Sequence, residues 1–129
     1  MKKMTFALCF CNRGFMPGEL IYEAREDMIK AVTDAGYDYI AMDAELTRYG
    51  GVETREEGLL YAKWLKEHEG MYDGVIFSMP IFADENGAIT ALQDAGVPIL
   101  MQAYPDEIGK MDFQHRRDAY CGKFSVTDV

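Results

Sequence analysis

The sequence predicts an α/β fold, a three-layer αβα sandwich with a parallel sheet. Two observations carry this prediction. Short apolar segments alternate along the chain with segments of helical periodicity. The apolar segments are continuous rather than alternating, which is typical of parallel strands covered by helices on both faces. The alternation predicts right-handed crossovers, and we predict the strand order 2-1-3-4, a Rossmann-like or flavodoxin-like arrangement.

The first strand is predicted over 4–10 and is followed by an amphipathic helix over 19–35. Apolar residues in this helix recur at spacings of three and four, so that they form one stripe. Gly36 follows the last turn and predicts a left-handed cap. The stripe consists of Leu20, Ala24, Met28, Ala31 and Ala35.

The second strand, over 37–42, leads through the longest predicted loop to a second helix. Thr54 and Glu57 have the spacing of a capping box, which places the helix start at Thr54. Gly70 ends this helix. The side chains that recur at helical intervals between them are Leu60, Tyr61, Trp64, Leu65 and His68.

A third strand over 74–79, a third helix over 84–95 and a fourth strand over 97–102 complete the alternation. The third helix is expected to bury Ala88, Ile89 and Leu92.

The segment 103–129 has no clear period, and we predict that it is irregular and leads toward a further domain. Near its end, Ser125 and Asp128 have the S-x-x-D spacing of a helix start. We therefore expect residues 1–129 to be a single Rossmann-like domain, the N-terminal piece of a longer multidomain protein.

Length and charge limit the functions open to this chain. Its 129 residues suffice for one domain, and 49% of them are apolar, enough for a packed core. There are 22 acidic and 13 basic residues, giving a net charge of −9, which argues against nucleic acid or an anionic membrane as partner. No segment approaches the ~20 apolar residues that span a bilayer.

The cysteines and the N-terminus indicate a cytoplasmic protein. Cys9, Cys11 and Cys121 are an odd number without metal-ligand spacing, which fits a reducing compartment, and a buried inert thiol is the favoured interpretation of Cys9. The apolar start is broken at Asn12-Arg13-Gly14, so we interpret it as a strand rather than as a signal peptide.

The candidate site lies where the predicted strands end, because ligands of open parallel sheets bind at that edge. The loops there offer a cation, two carboxylates, amides, hydroxyls and aromatic rings, a set that suits a polyhydroxylated small molecule. Arg13 either contacts such a ligand or pairs with Glu19 or Glu23. The predicted substrate-binding residues are Arg13, Asn12, Phe82, Gln102 and Tyr104.

Other chemistry is poorly supported. The loop after the first strand matches neither G-x-G-x-x-G nor G-x-x-x-x-G-K-[ST], so the sequence gives little support for FMN or NAD as a bound cofactor. Asp43 and Glu45 could act as paired acids or metal ligands, but a solvated loop is the favoured interpretation. His115 lies beside Arg116 and Arg117 and has no other His or Cys at ligand spacing, so a metal site there is not expected. We therefore predict neither catalytic residues nor a metal site in this chain.

Three stretches carry a family resemblance. Strand 1 is followed by Asn12-Arg13-Gly14 and a long helix, 80–88 reads PIFADENGA, and 116–125 reads RRDAYCGKFS. With these stretches the chain resembles the N-terminal region of the L-fucose isomerase and L-arabinose isomerase superfamily.

The resemblance implies a longer protein that interconverts an aldose and a ketose, usually with Mn²⁺. Its metal-binding Glu and Asp lie beyond the stretch that this chain covers, so this chain alone is predicted to be inactive. The resemblance further implies homo-oligomers in which the N-terminal domain packs against a neighbouring subunit. Arg13 matches the family's loop arginine by position, which implies a sugar contact.

Two alternatives stay open at this point. One is a free-standing sugar-binding or sensor module without catalysis. The other is a flavodoxin-like or response-regulator-like signalling domain, which the missing phosphate loop and the absence of an Asp at the end of strand 1 make poor.

Overall fold

A computed structural model describes residues 3–14, 16–112 and 114–127 of the chain. Within them, four strands form one parallel sheet with the order β2-β1-β3-β4, so the predicted topology is confirmed. The strands are β1 (Thr5–Phe10), β2 (Asp38–Ala41), β3 (Gly74–Met79) and β4 (Ile99–Ala103).

Helices cover both faces of the sheet. On one face, α1 packs Ile21 and Val32 against Leu8, Phe10 and Ile76. The other three helices belong to the opposite face, whose core centres on Phe77. The helices are α1 (Leu20–Asp34), α2 (Arg55–Glu67), α3 (Glu85–Leu92) and α4 (Ala119–Thr127).

Local sequence explains where α2 and α3 begin and where α1 ends. Thr54 and Glu57 make the predicted capping box, in which each side chain accepts from the other residue's backbone N–H. Asp84 caps α3 by accepting from the Gly87 N–H at 2.8 Å. After α1, Gly36 adopts φ +90°, the left-handed conformation predicted for it.

The burial pattern corrects several predictions. Ala31 and Ala35 are exposed, whereas Ile21, Ala24 and Val32 are the buried residues of α1. Ile89 is exposed on α3, and Leu60 is exposed on α2. Helical spacing alone cannot tell which of two overlapping stripes will face the sheet.

The outer strands also depart from the expectation of cover on both faces. The first two residues of β2, Asp38 and Tyr39, are exposed, and Leu100 of β4 is 60% exposed. These strands lie at the sheet edges, where each has a neighbouring strand on one side only.

The C-terminal segment is more ordered than predicted. Helix α4 begins at Ala119, so the predictions of an irregular 103–129 and of a helix start at Ser125 are wrong there; Asp128 lies outside the described residues. Helix α4 packs against β4 and α3, and this tertiary contact, not an internal period, supports it. Among the described helices, none combines the length and apolarity needed to cross a bilayer.

Candidate functional site

Three segments meet where the inner strands end. The Cys11 N–H donates to the Ser78 carbonyl oxygen at 3.2 Å, which joins the ends of β1 and β3. The Asn12 N–H donates to the Val52 carbonyl oxygen at 3.1 Å, and the Asn12 carbonyl oxygen accepts from Asp84 at 3.1 Å. These backbone bonds fix the loop after β1 against both the start of α3 and the segment before α2.

Arg13 and Phe82 form a pair at this edge. The guanidinium carbon of Arg13 lies 4.7 Å from the centre of the Phe82 ring, within the range of a cation–π interaction. Both side chains are half-buried. Two residues that the sequence places in different loops are thus brought together by the adjacency of β1 and β3.

Asn12 is fully buried, unlike the half-buried Arg13 and Phe82. Its side chain is 1% exposed, and its Nδ2 donates to Glu53 Oε1 at 3.4 Å. Its Oδ1 is buried without a hydrogen-bond partner among the described residues. This buried side chain supports the loop after β1, which carries Arg13.

Close packing around Asn12 explains the glycine at 18. A Cβ at Gly18 would lie 2.9 Å from Asn12 Nδ2 and 2.2 Å from Cδ2 of the Tyr49 ring. Only a residue without a side chain fits there, so Gly18 lets the start of α1 approach the loop after β1.

Glu53 is a buried acid that the sequence analysis missed. It is 7% exposed, and burial raises the pKa of its carboxyl above the usual value. Arg48 lowers this pKa, while the charges of Glu57 and Asp84 raise it further. The only sequence signal was an acid between the apolar Val52 and a capping box, a place where a solvated residue is equally expected.

Gln102 and Tyr104 are held by other groups. Ser78 Oγ donates to Gln102 Oε1 at 2.6 Å, so the Gln102 side chain ties β4 to β3. The Tyr104 ring lies under Arg117, 4.9 Å from its guanidinium carbon. Burial raises the pKa of the Tyr104 hydroxyl, and so does the negative charge of Asp27 on α1, while the charge of Arg117 lowers it.

Arg117 is a second residue that sequence reasoning missed in this region. Its Nη1 donates to the Pro80 carbonyl oxygen at 2.9 Å, and its own carbonyl oxygen accepts from the Phe82 N–H at 2.8 Å. Arg117 stands within the stretch 116–125 that carries the family resemblance, but nothing in the sequence pairs it with residues 37 positions earlier.

Other polar candidates have structural roles. The Asp43 side chain accepts from the Glu45 N–H at 2.9 Å and so caps a 3₁₀ turn over Ala44–Leu46. Cys9 and Cys11 are fully buried, and burial raises the pKa of both thiols well above the ordinary range. A thiol that stays protonated is a poor nucleophile and a poor metal ligand.

The candidate site is an open edge. A groove of about 540 Å³ lies between α2 and α3, and another of about 180 Å³ lies between α3, β4 and α4. Neither is lined by Arg13, Asn12, Phe82, Gln102 or Tyr104.

A sequence profile identifies the family of the domain that carries this edge. The profile describes the N-terminal domain of fucose/sulfoquinovose isomerases, and it matches residues 7–129. The chain belongs to this family. A search of curated proteins finds no significant match. As an isomerase N-terminal domain, the chain is one domain of a larger enzyme, and the other domains of that enzyme are its partners.

The described residues of this domain offer no ligand set for the Mn²⁺ implied by the fucose isomerase resemblance. No three of their His, Cys, Asp or Glu side chains are grouped to hold a metal ion. The buried carboxylate of Glu53 instead accepts a hydrogen bond from the amide nitrogen of Asn12.

Proposed function

We propose that this domain supplies sugar contacts to an aldose–ketose isomerase whose metal-binding acids lie in another part of the enzyme. The observation that carries the proposal is the Arg13–Phe82 pair at the carboxyl edge of the sheet, with 4.7 Å between guanidinium and ring. The family assignment supports it, because the enzyme class acts on sugars.

The chemistry of the pair suits a carbohydrate. A guanidinium presents a planar fork of N–H donors to hydroxyl oxygens, and an aromatic ring packs against the C–H face of a sugar. Stacking on Phe82 limits the directions in which Arg13 can point, so less conformational freedom is lost when a sugar binds.

The other nominated residues contribute less directly in this proposal. Asn12 supports the loop that carries Arg13, from its position beside Glu53. Gln102 and Tyr104 line the same edge on β4 and after it, where each already has a partner: Ser78 for Gln102 and Arg117 for Tyr104. They shape the edge, and Arg13 and Phe82 touch the substrate.

The position of the Arg13–Phe82 pair at the edge of the sheet supports a pocket shared with a neighbour. The pair lines neither of the two grooves described above, and in this proposal another domain or subunit encloses the sugar. We therefore place this domain at the interface of a homo-oligomer whose bound Mn²⁺ would polarise the sugar's carbonyl oxygen. Buried, unpaired Cys9 and Cys11 fit a cytoplasmic enzyme.

The test is the substitution Arg13→Ala in the full-length isomerase. We expect kcat/KM for the aldose to fall at least about tenfold, or about 1.4 kcal/mol, because donors to the sugar are lost. Fucose and sulfoquinovose, with Mn²⁺ present, are the first substrates to assay.

Arg55→Ala is the matched control, because Arg55 is an exposed arginine at the start of α2. It should leave kcat/KM unchanged. Wild-type kinetics for Arg13→Ala, with an unaltered circular dichroism spectrum, would remove Arg13 from the sugar site.

A further inference from the structure

The segment between β4 and α4 is bound to the loop that carries Phe82. The Phe82 N–H donates to the Arg117 carbonyl oxygen, and the Arg117 side chain donates back to the Pro80 carbonyl oxygen. The two bonds flank Ile81, which is fully buried. Residues 80–82 are therefore held on both sides by a single residue.

Arg117 is itself fixed from two directions. Asp106 Oδ1 accepts from the Arg117 N–H at 2.7 Å, and Asp106 Oδ2 accepts from the Asp118 N–H at 3.2 Å. The guanidinium of Arg117 lies over the Tyr104 ring. The backbone position and the side-chain direction of Arg117 thus have separate supports.

The backbone at Asp118 is held by two contacts. Asp118 adopts φ +50°, in the left-handed region that Asp enters more readily than most residues other than glycine. Its N–H is held by Asp106, and its carboxylate pairs with Arg116 Nε at 2.6 Å. Such a conformation persists where the surrounding contacts determine it.

From these contacts we propose that Arg117 is a positioning residue for the sugar site, acting through Phe82 on Arg13. The inference rests on the proposed function, since it assumes that Arg13 and Phe82 contact the sugar. Arg117 fixes the backbone of 80–82, the backbone fixes the Phe82 ring, and the ring fixes the direction of the Arg13 guanidinium.

The first measurement does not depend on activity. In Arg117→Ala, hydrogen exchange at the Phe82 amide should quicken by about tenfold or more, because the loop that holds its acceptor loses an anchor. Arg117→Lys keeps a cation over Tyr104 and a donor for Pro80, so it should restore most of the protection. Arg55→Ala should leave the exchange unchanged.

The second measurement is a double-mutant cycle in the full-length isomerase, assayed with fucose and sulfoquinovose. Arg117→Ala should lower kcat/KM by about fivefold or more in the wild-type background, mainly through KM. In a Phe82→Ala background the same substitution should cost less than about twofold, because the residue through which it acts is gone.

Several results would overturn the inference. Unchanged exchange at Phe82 would show that Arg117 does not hold the loop, and equal losses in both backgrounds would show that it does not act through Phe82. If Arg117→Ala fails to fold, Asp106→Ala removes the acceptor for the Arg117 and Asp118 amides and should give the same two signatures. If exchange at Phe82 quickens in Arg117→Ala but Arg13→Ala and Phe82→Ala have wild-type kinetics, Arg117 anchors the loop and the proposed sugar site is rejected.

Discussion

The inner and outer strands of the sheet differ in how completely they are buried. Every residue of β3 is buried, and so are the last four residues of β1. In contrast, β2 has no fully buried residue, and neither has β4. The difference arises because an inner strand has a neighbour on each side and helices on both faces.

This contrast separates two kinds of site residue. Asn12 and the 80–82 loop follow inner strands, and buried backbone bonds hold them in place. Gln102 and Tyr104 belong to the outer side, where they are half-buried and where side-chain contacts add to backbone pairing with β3. The site residues are thus all tied to the inner strands, but only those that follow β1 and β3 directly include fully buried positions.

Among substitutions that test the contrast between inner and outer strands, the largest loss of stability is expected at the centre of β3. Phe77 is fully buried between β1 and β4, so Phe77→Ala should lower the free energy of unfolding by about 3–5 kcal/mol. Urea denaturation of this chain, followed by circular dichroism, measures the loss. Phe77→Leu should lose less, and equal losses for the two variants would show that the site collapses around the substitution.

An intermediate effect is expected from Glu53, which lies beside the inner strand β1. Burial raises its pKa, so the protonated form favours the folded state, and stability is lost as the pH rises through the raised pKa. Relative to Glu53→Gln, the wild type should therefore lose free energy of unfolding between pH 4 and pH 7.

The Glu53 experiment compares the two proteins at each pH, because the other acidic residues then contribute equally to both. If the wild type instead gains stability relative to Glu53→Gln as the pH rises, the attraction of Arg48 outweighs burial.

The smallest effect is expected at the outer strand β4. Leu100 is 60% exposed, so Leu100→Thr should change the free energy of unfolding of this chain by less than about 0.5 kcal/mol. The same urea titration measures it. A loss approaching that of Phe77→Ala would mean that the outer strand is as well packed as the inner one and would break the comparison.

The family and fold were accessible from the sequence because their signals are local. Continuous apolar runs, the Thr54 capping box and the glycine at 36 each act within a few residues, and all three were confirmed. The strand order was predicted as the flavodoxin-like arrangement of such an alternation, and it was confirmed. The family was recognised from contiguous motifs, and it too was confirmed.

The site was predictable only as a set of loop residues. That Arg13 and Phe82 would come together was expected in outline, since both follow inner strands. The sequence did not predict the burial of Asn12 or the partners of Gln102 and Tyr104. Each of these features depends on a side chain from a distant part of the chain.

The sequence by itself determined the αβα alternation and the starts of α1, α2 and α3, since propensity, capping and apolar runs act over short distances. Only the tertiary structure decided which helix stripe is buried, that Glu53 is withdrawn from water, and that Arg117 holds the Phe82 loop. Those features depend on contacts between residues far apart in the chain, and packing selects among the many such contacts that the sequence permits.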